Sequence, residues 1–485
     1  MDVWNLKGGQ LKFLSQADIE EIHQRSLDVL QQVGCFFNHE EALDIMSKNG
    51  AVVDRSSKIV KFPRQLVESA LAHCPSSMLL AARDPKYDIH AEGDRVYFGT
   101  GTAPVNVIDL ETGKFRPAIY KDCQDFAKLV DALDYIHFFK TMICPHDVNQ
   151  KLIELYMTYA AYSNTTKQVS STSFSVNTAM DQYRMAVAVA GGEEAFKKRP
   201  MIIINFLAVS PLSYDNKALG AIIGASKKGY PMIIGSDPQG GTTGPAPLAG
   251  QLVINTAESL AGITLAQLVN PGVPVMWGNI GSVAEMRTGV IATGAVELGL
   301  INAAFNQMAK FYRLPTYSTG GMSDSKTSDA QASVEKSLQA LTVALAGGNY
   351  IHNASGILDF SMSCSYEQYV IDNEMLGMVC RVLDGIRVTP DTLSFEQIKE
   401  IGPRGNFMGL RHTLDHVRGG EHYLPWLFDR STRDTWLSKG GRDMKEAAKE
   451  RARKILATHQ VEPLPAEVDQ ELRAIIKNAE ETYGK

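Results

Sequence analysis

Between residues 96 and 383 the chain repeats one unit: a short β-rich run, a loop of Gly, Ser, Asn or Pro, and an amphipathic helix. The β-rich runs fall at 96–101, 136–143, 168–174, 201–209, 231–235, 273–278, 315–319 and 349–353, and the helical segments at 121–133, 148–162, 178–196, 216–228, 248–268, 285–311, 329–346 and 366–383. Strands that alternate with helices must pair in parallel, because each helix carries the chain back over the sheet. Eight such units over about 290 residues match an α/β (β/α)8 (TIM) barrel in count and length. The competing arrangement, a doubly wound open sheet, normally carries a GxGxxG fingerprint after its first strand; GTGTAP from Gly99 lacks that spacing.

The expected organisation is an N-terminal helical extension over 1–90, the barrel over 91–385 and a C-terminal helical extension over 386–485. Helical patterns at 15–33, 39–48 and 63–72 form the first extension, and charged amphipathic patterns at 443–459 and 465–482 close the last. A net charge of -6 gives no electrostatic reason to expect nucleic acid or an anionic membrane as partner. The apolar runs, such as MIIINFLAV from Met201, are far short of a bilayer span, and MDVWNLKGG lacks the regions of a signal peptide, so a cytoplasmic location is expected. The six cysteines have no close pairing, which favours reduced thiols over disulfides or a zinc site. His412 and His416 can share a helix face, but no HExxH glutamate lies between them, and no metal is expected.

The stretch from Asn349 to Glu374 organises the rest. Tyr350 and Ile351 continue a strand, Gly356 breaks it, and Ser365 with Gln368 has the spacing of a capping box. His352, Asn353, Ser355, Asp359 and Phe360 therefore fall in a loop at the C-terminal face, where barrel enzymes keep their chemistry. Asp372 falls on the helix stripe of Tyr369, Leu376, Val379 and Leu383, so its carboxylate needs a partner or a cavity.

The strand ends read as lacking an Asp/Glu pair, an HxH metal pair, and any lysine that closes a strand. They hold aromatics beside small polar groups: Tyr97 and Phe98 with Thr100, Phe174 with Ser175, Phe206, Trp277 with Asn279, Tyr317 with Thr319, and His352 with Asn353. Aromatic faces in a concavity suit a quaternary ammonium, each contact contributing about 0.5–2 kcal/mol. Core packing is the alternative for Phe98, Phe174, Phe206 and Tyr317. GGTTGPAP from Gly240 lacks the lysine of a phosphate loop and reads as a mobile active-site loop.

SSTSFS from Ser170, GGMSDSKTSDAQASVEK from Gly320, ALAGGNYIHNASGILDF from Ala344 and SYEQYVIDNE from Ser365 together resemble the trimethylamine methyltransferase superfamily of corrinoid-dependent enzymes. The resemblance implies a barrel that moves a methyl group from a methylated amine to the cobalt of a partner corrinoid protein. Archaeal members that use trimethylamine carry pyrrolysine in the loop after the eighth strand; Phe360 matches that position here, as in the pyrrolysine-lacking branch that demethylates quaternary amines. The implied function is a quaternary-amine methyltransferase, with glycine betaine as first substrate and proline betaine or carnitine as alternatives.

On this reading Trp277 with Tyr97, Phe174, Phe206 and Phe360 forms an aromatic cage, His352 or Asn353 holds the carboxylate, and Asp324, Lys326, Glu335 and Asp372 support the site. No general acid is required, because a quaternary amine leaves as a neutral tertiary amine. The corrinoid is expected on a partner protein rather than bound directly, since no DxHxxG motif is visible, and a homo-oligomer is expected. Two rivals stand beside this reading: a barrel lyase or aldolase working through Lys326, and a non-catalytic betaine-binding protein.

Overall fold

The computed structural model describes residues 1–101, 104–141 and 143–484. Met142 in the expected second strand, and Thr102 and Ala103 in GTGTAP, lie outside the described residues.

Eight parallel strands form one sheet: β1 Tyr97–Phe98, β2 Phe138–Lys140, β3 Gln168–Thr172, β4 Ile202–Ala208, β5 Met232–Ser236, β6 Val275–Asn279, β7 Thr316–Thr319 and β8 Tyr350–His352. They neighbour one another in chain order from β2 to β8. β8 pairs with β1 in the register Tyr350–Tyr97, and a parallel bridge from Gly99 to Phe138 joins β1 to β2. The sheet is therefore a closed (β/α)8 barrel, as the alternation requires.

The surrounding helices are α1 Tyr120–Asp131, α2 Ile153–Asn164, α3 Val176–Ala190, α4 Asn216–Lys228, α5 Leu248–Val269, α6 Val296–Phe311, α7 Ala330–Leu345 and α8 Tyr366–Asp384. Four open on a side-chain cap: Ser175 accepts from Thr178 N–H, Asp215 from Ala218, Asp329 from Ala332 and Ser365 from Gln368. α5 is apolar all round and mostly buried, because helices Gln16–Asp28 and Arg64–Ala72 cover its outer side.

Three expectations are corrected. The helix expected over 285–311 begins only at Val296; before it a hairpin pairs Ser282–Glu285 with Val290–Ala292, turning at Gly289 with φ 73° where β-branched residues follow. The helix expected over 178–196 stops at Gly191, which takes the left-handed C-cap conformation, and resumes as Glu193–Lys198. The N-terminal extension is also not purely helical. Cys35–Phe37 joins Ser213–Tyr214 and a hairpin of Val52–Asp54 with Ile59–Lys61, and Ser77–Leu80 pairs with Ile89–Glu92.

That last hairpin plugs the N-terminal end of the barrel. Its Met78, Leu80, Ile89 and Ala91 pack with Tyr97, Phe138, Ile203, Ile233, Met276, Tyr317 and Tyr350, which point inward from the strands. Side chains alternate along a strand, so residues two positions further on also face inward, one layer nearer the C-terminal rim. That layer contains Lys140, Asn205, Thr319 and His352.

Candidate active site

Lys140 ends β2 and is held there from both sides. Its N–H donates to Thr100 Oγ1 and its carbonyl accepts from the same hydroxyl, each at 2.8 Å, so a side chain continues the ladder where β1 stops. The ammonium donates to Asn205 Oδ1 at 2.5 Å and to the Ser171 carbonyl at 3.4 Å, and lies 5.4 Å from the Tyr317 ring centre. Thr172 Oγ1 donates to the same Asn205 oxygen at 2.7 Å. Burial pushes the Lys140 ammonium down to about 7. Among the described residues no carboxylate pairs with it. The reading that no lysine closes a strand is thus overturned.

His352 ends β8 with its ring flat on Tyr317, the centres 3.9 Å apart and the planes 10° from parallel. Its Nε2 lies 2.7 Å from Thr319 Oγ1. Burial, reinforced by the Lys140 charge, holds the imidazole well below its ordinary value, so it is neutral at pH 7. Asn353 follows in a left-handed conformation with φ 60°, and a Cβ at Gly101 would stand 2.1 Å from Asn353 Oδ1 and 2.8 Å from His352 Nδ1. Only glycine fits where the first and eighth loops meet this closely.

Asp237, just past β5, supplies the opposite charge. Burial pushes its carboxyl up to about 6, against a hydrogen bond from Gln239 Nε2 at 2.5 Å that favours the anion. Its charge also helps to hold the buried Tyr317 phenol well above its ordinary value. The rim therefore presents a cation on β2 and an anion after β5, with the Tyr317–His352 stack on the remaining side of the barrel.

The five expected cage residues do not face one site: Phe174 and Phe206 share a groove, and the other three lie elsewhere. Tyr97 lies in the barrel floor, its Oη donating to the Trp4 carbonyl at 3.3 Å. Trp277 points outward into the strand–helix layer, its ring centre 4.8 Å from Phe305 and 5.3 Å from Tyr312. Phe206 has the same outward parity; with Phe174, which is 51% exposed, it lines a groove of about 300 Å³ that also reaches Thr172, Asn205 and Lys217. Phe360 sits at a hairpin tip between Ile357–Leu358 and Ser363–Ser365, where Asp359, Phe360 and Ser361 all have positive φ (55°, 54° and 71°). Its face is covered by Lys326 Nζ, 3.9 Å from the ring centre.

The supporting group is better placed. Asp324 accepts from Thr293 N–H at 2.9 Å and Oγ1 at 2.7 Å, tying the loop after β7 to the loop after β6. Glu335 accepts from Ser323 Oγ at 2.7 Å and Asp324 N–H at 3.0 Å. Asp372 finds the partner its position demands in Lys336, 3.1 Å away. Lys326 is exposed and donates to the Asp324 carbonyl at 2.7 Å, so its amine is outside the barrel and unsuited to the imine chemistry of the lyase rival.

Sequence reasoning missed Lys140, Asn205, Asp237 and Lys336. The signal for Lys140 is the phase of FFK: it shares a face with Phe138, whereas Phe139 lies on the other.

The fold and the position of these groups define a (β/α)8-barrel protein with its polar chemistry at the C-terminal rim. Residues 4–484 match the model of trimethylamine methyltransferase (MTTB), and the chain belongs to this methyltransferase family. It is 36% identical to trimethylamine methyltransferase MttB of Desulfitobacterium hafniense over 99% of this chain and 97% of that one. It is 34% identical to a glycine betaine methyltransferase of the same species, covering 97% and 98%, and 34% identical to MttB of Methanosarcina barkeri, covering 99% and 97%. The crystal structure of the Methanosarcina barkeri monomethylamine methyltransferase MtmB aligns at a TM-score of 0.47 with 11% identity, over 92% of this chain and 93% of that one.

Proposed function

We propose that the chain transfers a methyl group from a small quaternary amine, glycine betaine foremost, to the Co(I) of a corrinoid carried by a partner protein. The observation that carries the choice of a betaine is the buried Lys140 ammonium without a carboxylate partner. A buried cation is costly unless paired, and a substrate carboxylate supplies the pair. Trimethylamine, the substrate in the name of the 36% relative, has no such group.

In this reading Lys140 and Asn205 receive the carboxylate, while Asp237 and the Tyr317–His352 stack face the trimethylammonium. One N–CH3 bond breaks and its electron pair stays on nitrogen, giving dimethylglycinate, whose tertiary amine is neutral and whose carboxylate keeps its charge. The Co(I) substrate supplies the pair for the new Co–CH3 bond. No proton moves, so the step asks for no general acid and is compatible with a neutral His352. The protein's part is to orient the methyl group toward the partner and exclude water.

Purified protein with cob(I)alamin under anaerobic conditions should form methylcobalamin from glycine betaine, with dimethylglycine in equal amount. Proline betaine, carnitine, choline and trimethylamine run in parallel rank the substrate class. Silence with every amine, with free and with protein-borne corrinoid alike, would refute the proposal.

Affinity should also follow the two charges. Lys140 binds carboxylate only when protonated, so affinity falls as pH rises above about 7; Asp237 attracts the ammonium only when ionised, so it falls again below about 6. Each limb approaches about tenfold per pH unit. Calorimetric titration of glycine betaine across that range checks this, and a flat profile would exclude the two-charge arrangement.

A further inference from the structure

From Asp384 through Ala447 no residue is buried. This arm contains three short helices, Phe395–Ile401, Arg411–Arg418 and Arg433–Ser438, with no core of its own. Its second half is anchored to the barrel where Glu374 accepts from Tyr423 Oη at 2.8 Å and Leu427 N–H at 3.0 Å. The first half needs another fastening, because short helices whose apolar side chains stay exposed, such as Phe395 and Ile398, are marginal.

One cluster in that half has the make-up of a metal site. His412 and His416 are one turn apart on Arg411–Arg418, with ring centres 4.2 Å apart. Both turn Nε2 toward Asp391, some 20 residues earlier: His412 Nε2 is 3.4 Å from Oδ1 and His416 Nε2 is 3.0 Å from Oδ2. His412 Nε2 also lies 3.2 Å from the Asp391 carbonyl. One donor atom from each of the three side chains lies within 4.8 Å of the others.

We propose that Asp391, His412 and His416 bind one Zn²⁺ ion that staples the first half of the arm. Zinc bonds of about 2.0–2.2 Å to nitrogen and oxygen give tetrahedral edges of about 3.4 Å. Each histidine nitrogen lies near such an edge from one oxygen of Asp391, His412 at 3.4 Å from Oδ1 and His416 at 3.0 Å from Oδ2, and one donor atom from each residue lies within 4.8 Å of the others, so a turn of the carboxylate is the adjustment the site needs. Two imidazoles and one carboxylate suit Zn²⁺, whereas Mg²⁺ and Ca²⁺ prefer all-oxygen sets. The histidine side chains are 20% and 27% exposed and the aspartate 71%, so the ion has an entry path and keeps a fourth position open to water. Closing the chain from Asp391 to His412 through a metal restricts the arm as a cross-link does.

The test is calorimetric titration of the dialysed full-length protein with ZnCl2. The expected result is one saturable site per chain. Changes beyond the ligands already lower metal affinity by about 10- to 100-fold, so His412→Gln, His416→Gln and Asp391→Asn should each lower it by at least about 100-fold. Because these positions contribute nothing to a core, the melting temperature of the metal-free variants should match the wild type, which separates loss of a ligand from misfolding. On the wild type, Zn²⁺ should slow amide exchange in residues 389–418 and leave the barrel strands unchanged, and Co²⁺ should give the visible bands of a tetrahedral site. Absence of saturable binding, or binding that survives all three substitutions, would overturn the proposal and leave the cluster as a pair of histidine–carboxylate hydrogen bonds.

Discussion

Lys140→Met is expected to lower kcat/KM for glycine betaine by about 100-fold or more, almost wholly through KM. Truncating one partner of a buried charge pair costs about 2–5 kcal/mol in binding, and the carboxylate lies away from the breaking N–CH3 bond. Its contact is equal in the ground and transition states, so kcat stays nearly unchanged. Choline, which has no carboxylate, is the internal control and should lose little. An equal loss for every amine, or a collapse of kcat, would mean that Lys140 takes part in chemistry or merely holds the barrel open.

The same substitution should stabilise the fold. A lysine lowered from 10.5 to about 7 by burial costs the folded state up to about 5 kcal/mol. The sign follows from linkage: the penalty is present in full below about 7 and disappears as pH rises through 10.5, where the unfolded chain also loses its proton. Part of the gain is offset because Asn205 Oδ1 loses a donor, although Thr172 remains on it. Denaturant titration at pH 6 should therefore find the variant more stable by a few kcal/mol, the difference shrinking toward pH 10. A group that burdens the fold this much is best understood by what it binds.

Much of the architecture was legible because local chemistry specifies it. The eight strand–helix units, the Ser365 cap and the demand of Asp372 for a partner all follow from spacing within one element. The side of each strand that faces the barrel did not follow. A buried parallel strand is apolar on both faces, so VMWGN offers no polar alternation to fix its phase, and Trp277 turned out to face the helices. The same ambiguity concealed Lys140: a lysine beside two phenylalanines reads as the frayed end of an apolar run until Phe138 is known to point inward. Contacts such as Lys326 on Phe360 join loops 34 residues apart and depend on a backbone turn with three positive φ values in a row, which residue type does not announce. The overextended sixth helix has a simpler cause. Glu285, Met286 and Arg287 favour a helix, and only hairpin pairing with Val290–Ala292 decides otherwise.

Loss of either member of the Lys336–Asp372 pair should be the most damaging change to stability. The side chains are 0% and 1% exposed and 3.1 Å apart. Burial pushes Asp372 up and Lys336 down, each toward neutrality, while each partner's charge opposes this. The surrounding donors favour the ion pair: Asp372 also accepts from Gly356 N–H and Gln368 Nε2, both at 2.7 Å, and Lys336 also donates to the Gly321 carbonyl at 2.6 Å. The pair thus fastens α7 to α8 and the start of the loop after β7 to that after β8. Gly356 is fixed in this arrangement, since at φ 82° an added Cβ would stand 2.1 Å from the Tyr369 ring. Lys336→Met or Asp372→Asn alone should cost about 3–5 kcal/mol, because each leaves a buried charge without its partner. Lys336→Met combined with Asp372→Leu should cost less than either single change, since it removes both charges from the core, although Gly321 and Gly356 keep unpaired backbone groups. Denaturation midpoints of the three variants form the measurement. Single variants within about 1 kcal/mol of the wild type would put the pair among exposed ion pairs in value, and the two loops would then have to be held by Asp324 and Glu335 instead.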